Sequence, residues 1–73
     1  MKSVELEKAL LGCLIQDSSY VDSVKQFIPT KEFFYSSFNQ KVWSAIDKLY
    51  TRQGSIELNT VCEEVGNDSD GHS

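Results

Sequence analysis

The chain of 73 residues is 40% hydrophobic and carries a formal net charge of −4 at pH 7. This length allows one small domain with a single core, and one Pro and four Gly exclude a fibrous or loop-dominated chain. Five acids and no base lie in residues 55–73, so residues 1–54 carry +1, and neither part is a basic patch for strong binding of nucleic-acid phosphates.

The first predicted element is a helix that Ser3 can cap, with Glu5 and Glu7 in its first turns, where the helix dipole favours negative charge. Gly12 inside this helix costs about 1 kcal/mol relative to Ala, so we expect it to mark the close approach of a neighbouring helix. Apolar residues recur at spacings of three and four, which predicts a well-buried helix. They are Leu6, Leu10, Leu11, Cys13, Leu14 and Ile15.

A turn at residues 17–19 separates this helix from a short second one. Pro29 ends the second helix, because the residue before a Pro is forced out of the helical region, and it opens a further turn with Lys31 and Glu32. The expected apolar side of the second helix consists of Tyr20 or Val21, Val24, Phe27 and Ile28.

The longest predicted helix begins at Ser36 or Ser37 and extends to about Arg52, where Gln53-Gly54 is a plausible stop. One face is apolar apart from a single Asn, as expected of a helix packed on a core. This face consists of Asn39, Val42, Trp43, Ile46, Leu49 and Tyr50.

A last helix follows "SIEL", the only weakly strand-like segment, with Asn59 or Thr60 as its cap and Thr60 and Glu63 at capping-box spacing. Its apolar residues are Val61, Cys62 and Val65. The segment 67–73 has no large apolar residue and is predicted to be a disordered tail. The pattern thus predicts an all-α domain of about five helices over residues 1–66.

Catalytic and metal-binding patterns are absent from the sequence. Cys13 and Cys62 are too few for a disulfide framework and have no CxxC spacing for zinc, so we expect reduced, buried thiols. The only His is His72 in the tail, no phosphate-binding loop occurs, and Glu63 and Glu64 are adjacent rather than facing. These features predict a non-enzymatic module that binds no cofactor or metal.

The run "ALLGCLI" contains a Leu-Leu-Gly-Cys step like that of a lipoprotein cleavage site. The residues before it include two glutamates where a signal peptide is basic and then apolar, and the run is too short to span a membrane. The sequence predicts a cytoplasmic protein without membrane contact.

The motif order resembles that of the N-terminal domain of the DnaB-type replicative DNA helicases over about residues 3–66. A glutamate-containing helix runs into a Leu-Gly step, and a Pro and an acid precede Phe-Tyr. A helix with an Ala-Ile step then leads to a Gly and an Ile-acid pair. In this sequence the motifs are Glu5, Leu11-Gly12, Pro29, Glu32, Phe34-Tyr35, Val42-Trp43, Ala45-Ile46, Leu49, Gly54 and Ile56-Glu57. Asn39 stands where the family usually has His, and Glu57 where it usually has Asp.

The resemblance implies a small orthogonal helical bundle that forms a collar on a hexameric ring. It implies subunit association and docking of the primase, and a helicase loader is a further possible partner. ATP and Mg belong to the ATPase domain of the family, which this sequence does not contain. The sequence leaves open whether the chain is an excised fragment or a free-standing paralogue.

The stretch "EFFYSSFNQKVW" contains five of the eight aromatic residues. Phe34 and Trp43 match apolar positions of the family and are predicted to be core. Phe33, Tyr35 and Phe38 are candidates for a protein interface, because exposed aromatic rings are common anchors of protein contacts; alternatively, Phe33 and Phe38 cover the core.

The polar candidate in the same stretch is Asn39. Asn39 is either a helix cap or buried hydrogen-bonding group within the fold, or a partner contact.

Three other functions compete with this interpretation. An acyl carrier protein is also an acidic helical bundle, but Asp17-Ser18 is followed by Ser19 rather than Leu. A helix-turn-helix DNA-binding protein needs a basic recognition helix, whereas residues 37–52 are broadly apolar and aromatic. A free-standing helical protein-interaction module is the third.

Overall fold

In a computed structural model, the backbone is described for residues 3–71 and the side chains for residues 3–67. This part of the chain contains four α-helices, two short 3₁₀ helices and no strand. The all-α prediction is confirmed, although the turn after Pro29 is a single 3₁₀ turn rather than a fifth helix. The α-helices are α1 (Val4–Gln16), α2 (Val21–Phe27), α3 (Ser37–Thr51) and α4 (Leu58–Gly71), and the 3₁₀ helices are Ser18–Tyr20 and Lys31–Phe33.

Helix α3 is the centre of the fold and packs against α1, α4 and the 3₁₀ helix Lys31–Phe33. Its predicted buried face is confirmed, with Tyr50 half-buried at the end of the face. Among the described residues, one apolar cluster joins α3 to the other helices. Its members are Leu11, Leu14, Val21, Ile28, Phe34, Val42, Trp43, Ala45, Ile46, Leu49 and Val61.

Helix α1 begins as predicted, since the Ser3 hydroxyl accepts the Leu6 N–H at 3.3 Å. Its buried face differs from the predicted one. Leu11 and Leu14 are buried, but Leu6 and Cys13 are exposed, and Glu7 is buried in their place. The Glu7 carboxylate therefore faces the interior, where it accepts hydrogen bonds from Tyr35 and Asn39.

Helix α2 buries Val21 and, just beyond its end, Ile28, as predicted. The prediction is wrong for Phe27, which is 79% exposed. Of the alternatives Tyr20 and Val21, the structure buries Val21 and leaves Tyr20 58% exposed. At about 100° per residue, Phe27 points roughly 120° away from Val21, so one helix cannot bury both. Phe27 therefore remains an isolated exposed ring.

The stop after α3 is confirmed, and it uses a left-handed residue. Gln53 has φ 61°, and the Gly54 N–H donates to the Leu49 carbonyl oxygen at 2.8 Å. Gln53, rather than Gly54, takes the left-handed conformation, at some backbone cost to a residue with a Cβ.

The start of α4 corrects the predicted caps. The helix begins at Leu58, and the Thr60 hydroxyl accepts the Glu57 N–H at 2.9 Å. Thr60 is thus the third residue of the helix and not its cap. Its hydroxyl accepts the backbone N–H of Glu57, the residue just before the helix. Helix α4 extends to Gly71, into the segment 67–73 for which composition predicts disorder.

Ion pairs join helices at the surface of the described part of the chain. Lys25 Nζ lies 2.8 Å from Asp47 Oδ1 and connects α2 to α3. The Asp47 carboxylate holds the pKa of the Lys25 ammonium above its usual value. Arg52 lies 2.8 Å from Glu64 and connects the end of α3 to α4. Both pairs are partly exposed, so each contributes at most about 1 kcal/mol.

Cys13 and Cys62 are free thiols, but both are exposed, which corrects the expectation that they are buried. None of the helices in the described part of the chain is long and apolar enough to cross a membrane.

Candidate protein-interaction site

The aromatic stretch changes from a 3₁₀ turn to extended backbone before α3 begins. Phe34 has φ −84° and ψ 138°, and Ser36, the cap of α3, is also extended. Successive side chains of an extended chain point in opposite directions. Phe34 therefore points inward and is 1% exposed, whereas Tyr35 is 70% exposed.

Phe33 packs on the core ring Phe34 and is also partly exposed. Its ring meets the Phe34 ring edge to face, with centroids 5.9 Å apart, and it is 37% exposed. Phe34 in turn lies 6.0 Å from the Trp43 ring in the core. The core roles of Phe34 and Trp43 agree with the prediction, and Phe33 covers Phe34 while it presents one side to solvent.

Phe38 lies in the first turn of α3, away from the buried face, and is 59% exposed. It lines an apolar groove of about 440 Å³ between α1, α3 and α4. Leu11, Ile15, Val42 and Leu58 contribute to its walls, and Lys8 is the one charged side chain among the described residues that line it. The interface prediction for Phe33, Tyr35 and Phe38 thus concerns side chains that solvent can reach.

Asn39 is different, because it is 1% exposed. Its amide Nδ2 donates to Glu7 Oε1 at 3.0 Å, and its backbone N–H donates to the Ser36 hydroxyl at 3.3 Å. Of the two roles considered for Asn39, the structure shows the buried hydrogen-bonding group within the fold.

Glu7 is the residue that sequence reasoning missed. Its side chain is fully buried, and its Oε2 accepts the Tyr35 N–H at 2.7 Å. Its Oε1 also accepts the Ser36 N–H at a longer 3.4 Å. A carboxylate from α1 therefore binds the backbone just before α3, where the helix dipole also favours an anion.

Burial by itself raises the pKa of the Glu7 carboxyl, because it penalises the charged form. The hydrogen bonds from Asn39, Tyr35 and Ser36 act in the opposite direction and hold the pKa of Glu7 below its usual value. At neutral pH the group is therefore an ionised acceptor.

A further hydrogen bond, from a side chain of α3, holds the backbone that precedes this helix. The Gln40 side chain donates through Nε2 to the Phe34 carbonyl oxygen at 2.8 Å. The backbone from Phe34 to Ser36 is thus held by side chains of both α1 and α3, although it belongs to neither helix.

Gly12 lines the groove, and the prediction that a neighbouring helix approaches it closely is wrong. A Cβ built on Gly12 would meet no described atom outside the adjacent residues and backbone of its own helix within 4 Å. We therefore expect Gly12→Ala to raise the free energy of unfolding by about 1 kcal/mol, because Ala has the better helix propensity. Urea denaturation measures the change.

Ala9 provides the matched control for this prediction, since it is also exposed in α1. Ala9→Gly should lower the free energy of unfolding by a similar amount. A loss of stability in Gly12→Ala would mean instead that another surface packs on Gly12 in solution.

The comparison with known proteins agrees with the motif order. The model of the DnaB-like helicase N terminal domain matches residues 1–73. This chain belongs to that family. The replicative DNA helicase DnaB of Rhodothermus marinus is 31% identical over 64 residues, which cover 88% of this chain. The same stretch is 7% of the relative's length, so the chain corresponds to a small part of that protein. No solved structure matches.

Membership of this family favours neither the carrier-protein alternative nor the DNA-binding one. Asp17 stabilises its own turn, since its Oδ1 accepts hydrogen bonds from the Ser19 hydroxyl at 2.6 Å and from the Ser19 N–H at 3.1 Å.

Proposed function

We propose that this chain is a non-catalytic collar domain of a replicative helicase. It associates with other helicase subunits and docks the primase or a helicase loader through the surface formed by Phe33, Tyr35 and Phe38. ATP and Mg bind in this proposal to the ATPase domain of the family and not to this chain.

The observation that carries the proposal is the placement of these three rings. They are exposed by 37%, 70% and 59%, and they lie within six residues of one another around the start of α3. Exposed aromatic side chains carry a large share of the binding energy in protein interfaces. Because the backbone beneath them is held by Glu7 and Gln40, little ordering is needed on binding.

The proposal predicts that single substitutions in this surface weaken docking without unfolding the domain. We expect Tyr35→Ser and Phe38→Ser each to raise the Kd for the C-terminal region of the cognate primase by at least about tenfold, as is typical for interface hot spots. Isotope-labelled chain titrated with that region gives both the Kd and the amide shifts.

Phe27 supplies a matched control, because it is a similarly exposed aromatic residue on α2, outside the proposed surface. Phe27→Ser should leave the Kd unchanged. An equal loss of affinity in all three variants would contradict the assignment of the surface. Amide shifts on α2 instead of around residues 33–38 would contradict it as well.

Subunit association is measured separately, by sedimentation of the chain alone over a range of concentrations. If Tyr35→Ser and Phe38→Ser alter self-association but not primase binding, the surface serves neighbouring subunits. If they alter primase binding alone, it serves the primase.

A further inference from the structure

We infer that Glu7 is the positioning residue of this aromatic surface. Its carboxylate fixes the backbone at Tyr35 and Ser36 and thereby sets the direction in which the exposed rings face a partner. The docking part of this inference rests on the proposed function, whereas the anchoring of the backbone can be tested on the chain alone.

The first support is that packing cannot orient Tyr35. Its side chain is 70% exposed, so its direction depends on the backbone to which it is attached. The Tyr35 N–H donates to Glu7 Oε2 at 2.7 Å, the shortest of the three contacts to this carboxylate. The group that fixes the Tyr35 backbone is therefore a side chain of α1, although Tyr35 itself belongs to no helix.

The second support is the chemistry of the contact. The Tyr35 N–H, the Ser36 N–H and the Asn39 amide are all donors, which matches an ionised carboxylate with acceptors on both oxygens. Hydrogen bonds to an ionised acceptor are roughly twice as strong as neutral ones. A neutral side chain at position 7 could not accept all three donors equally well.

The third support is the distance along the chain. Glu7 is 28 residues from Tyr35 and 32 residues from Asn39. The contact thus couples α1 to the start of α3 at the site of the exposed rings. A surface that is ordered before binding loses less entropy when its partner binds.

Glu7→Gln tests the inference with little change in shape. Its amide oxygen can accept the Tyr35 N–H, but its amide nitrogen then faces the Asn39 donor. We expect hydrogen exchange at the Tyr35 amide to accelerate about tenfold, because the acceptor has lost its charge. We also expect the Kd for the primase C-terminal region to rise by a similar factor, while circular dichroism shows an intact helical fold.

The double variant Glu7→Gln with Asn39→Asp supplies the rescue. It moves the carboxylate to position 39, where the Gln amide can donate to it and the start of α3 favours an anion. The double variant should recover most of the protection of the Tyr35 amide and most of the affinity. Recovery would show that the polarity of the contact matters, rather than the bulk of the side chain.

Each outcome decides one part of the inference. An unchanged Tyr35 amide in Glu7→Gln overturns the anchor, whatever happens to binding. Faster exchange with an unchanged Kd overturns the positioning role, and Tyr35→Ser then shows whether the surface itself is correct. Failure of the wild-type chain to bind overturns the proposed function and the docking part with it.

A measurement on the wild-type chain covers the case in which Glu7→Gln does not fold. Acidification is followed through the side-chain carbon resonance of Glu7 and the amide resonance of Tyr35. If Glu7 anchors Tyr35, both resonances titrate together. If the Tyr35 amide does not follow Glu7 in a folded chain, the anchor is overturned.

Discussion

Phe34→Ala is expected to lower the free energy of unfolding of the domain by about 3–5 kcal/mol. Phe34 is 1% exposed and packs against the rings of Phe33 and Trp43, so its removal leaves a cavity under the aromatic stretch. Truncation of a buried Phe costs about 3–5 kcal/mol. A domain of this length has about 4–11 kcal/mol of stability in total, at the usual value per residue.

Tyr35→Ala is the matched control for Phe34→Ala, since it removes a ring from the next position in the chain. Tyr35 is 70% exposed, so the loss should stay within about 0.5 kcal/mol. Urea denaturation followed by the fluorescence of Trp43 measures both variants. Equal losses would mean that the alternation of inward and outward rings along residues 33–35 is absent in solution.

The pattern of apolar residues was sufficient to predict much of this fold. The face of α3 from Asn39 to Leu49 is buried as its helical spacing predicts, and Phe34 and Trp43 meet in the core. These features follow from local periodicity, because a single broad apolar face allows one orientation of the helix.

Features that depend on distant partners could not be read from periodicity. Glu7 looks like a first-turn acid placed for the helix dipole, and nothing within its own helix indicates that it is buried. Its burial depends on three hydrogen-bond donors from residues 35–39, which only the folded chain brings near the Glu7 carboxylate. Sequence reasoning placed Leu6 in the interior instead, because it weighed hydrophobicity without those donors.

In the candidate site, too, local features were predictable from the sequence and features that depend on distant helices were not. Tyr35 and Phe38 were interface candidates in the sequence, with covering of the core as the alternative for Phe38, and the structure shows both side chains exposed. The groove beside Phe38 was not predicted, because it depends on how α1 and α4 are placed on α3. Gly12 was misinterpreted for the same reason: a glycine on a helix indicates either close packing or open space, and local sequence does not distinguish them.

Acid destabilisation is the second large effect that we expect, and the buried carboxylate of Glu7 is one of its sources. The hydrogen-bonded carboxylate has a folded-state pKa below the ordinary value of 4.5. A carboxyl group with a depressed pKa contributes stability that is fully present above its unfolded-state pKa and is lost as pH falls through its folded-state pKa. The contribution of Glu7 to the free energy of unfolding should therefore be constant near neutral pH and decrease below about pH 4.5.

The side chain of Asp17 contributes in the same direction, since hydrogen bonds from Ser19 hold its pKa below the usual value. Asp17→Asn is therefore the matched control for Glu7→Gln in urea denaturation between pH 7 and pH 3. Glu7→Gln should lower stability at pH 7 and make the acid slope shallower, so that the wild-type and variant curves converge at low pH. Asp17→Asn should change the slope less, because Asp17 is exposed and binds only its own turn.

Parallel curves for wild type and Glu7→Gln would contradict this assignment, because the carboxyl would then bind the same number of protons in the folded and unfolded states. Convergence at low pH would locate the proton uptake at Glu7. The same protonation would weaken the hold on Tyr35, so the acid limb of the stability curve and the order of the aromatic surface depend on one carboxylate.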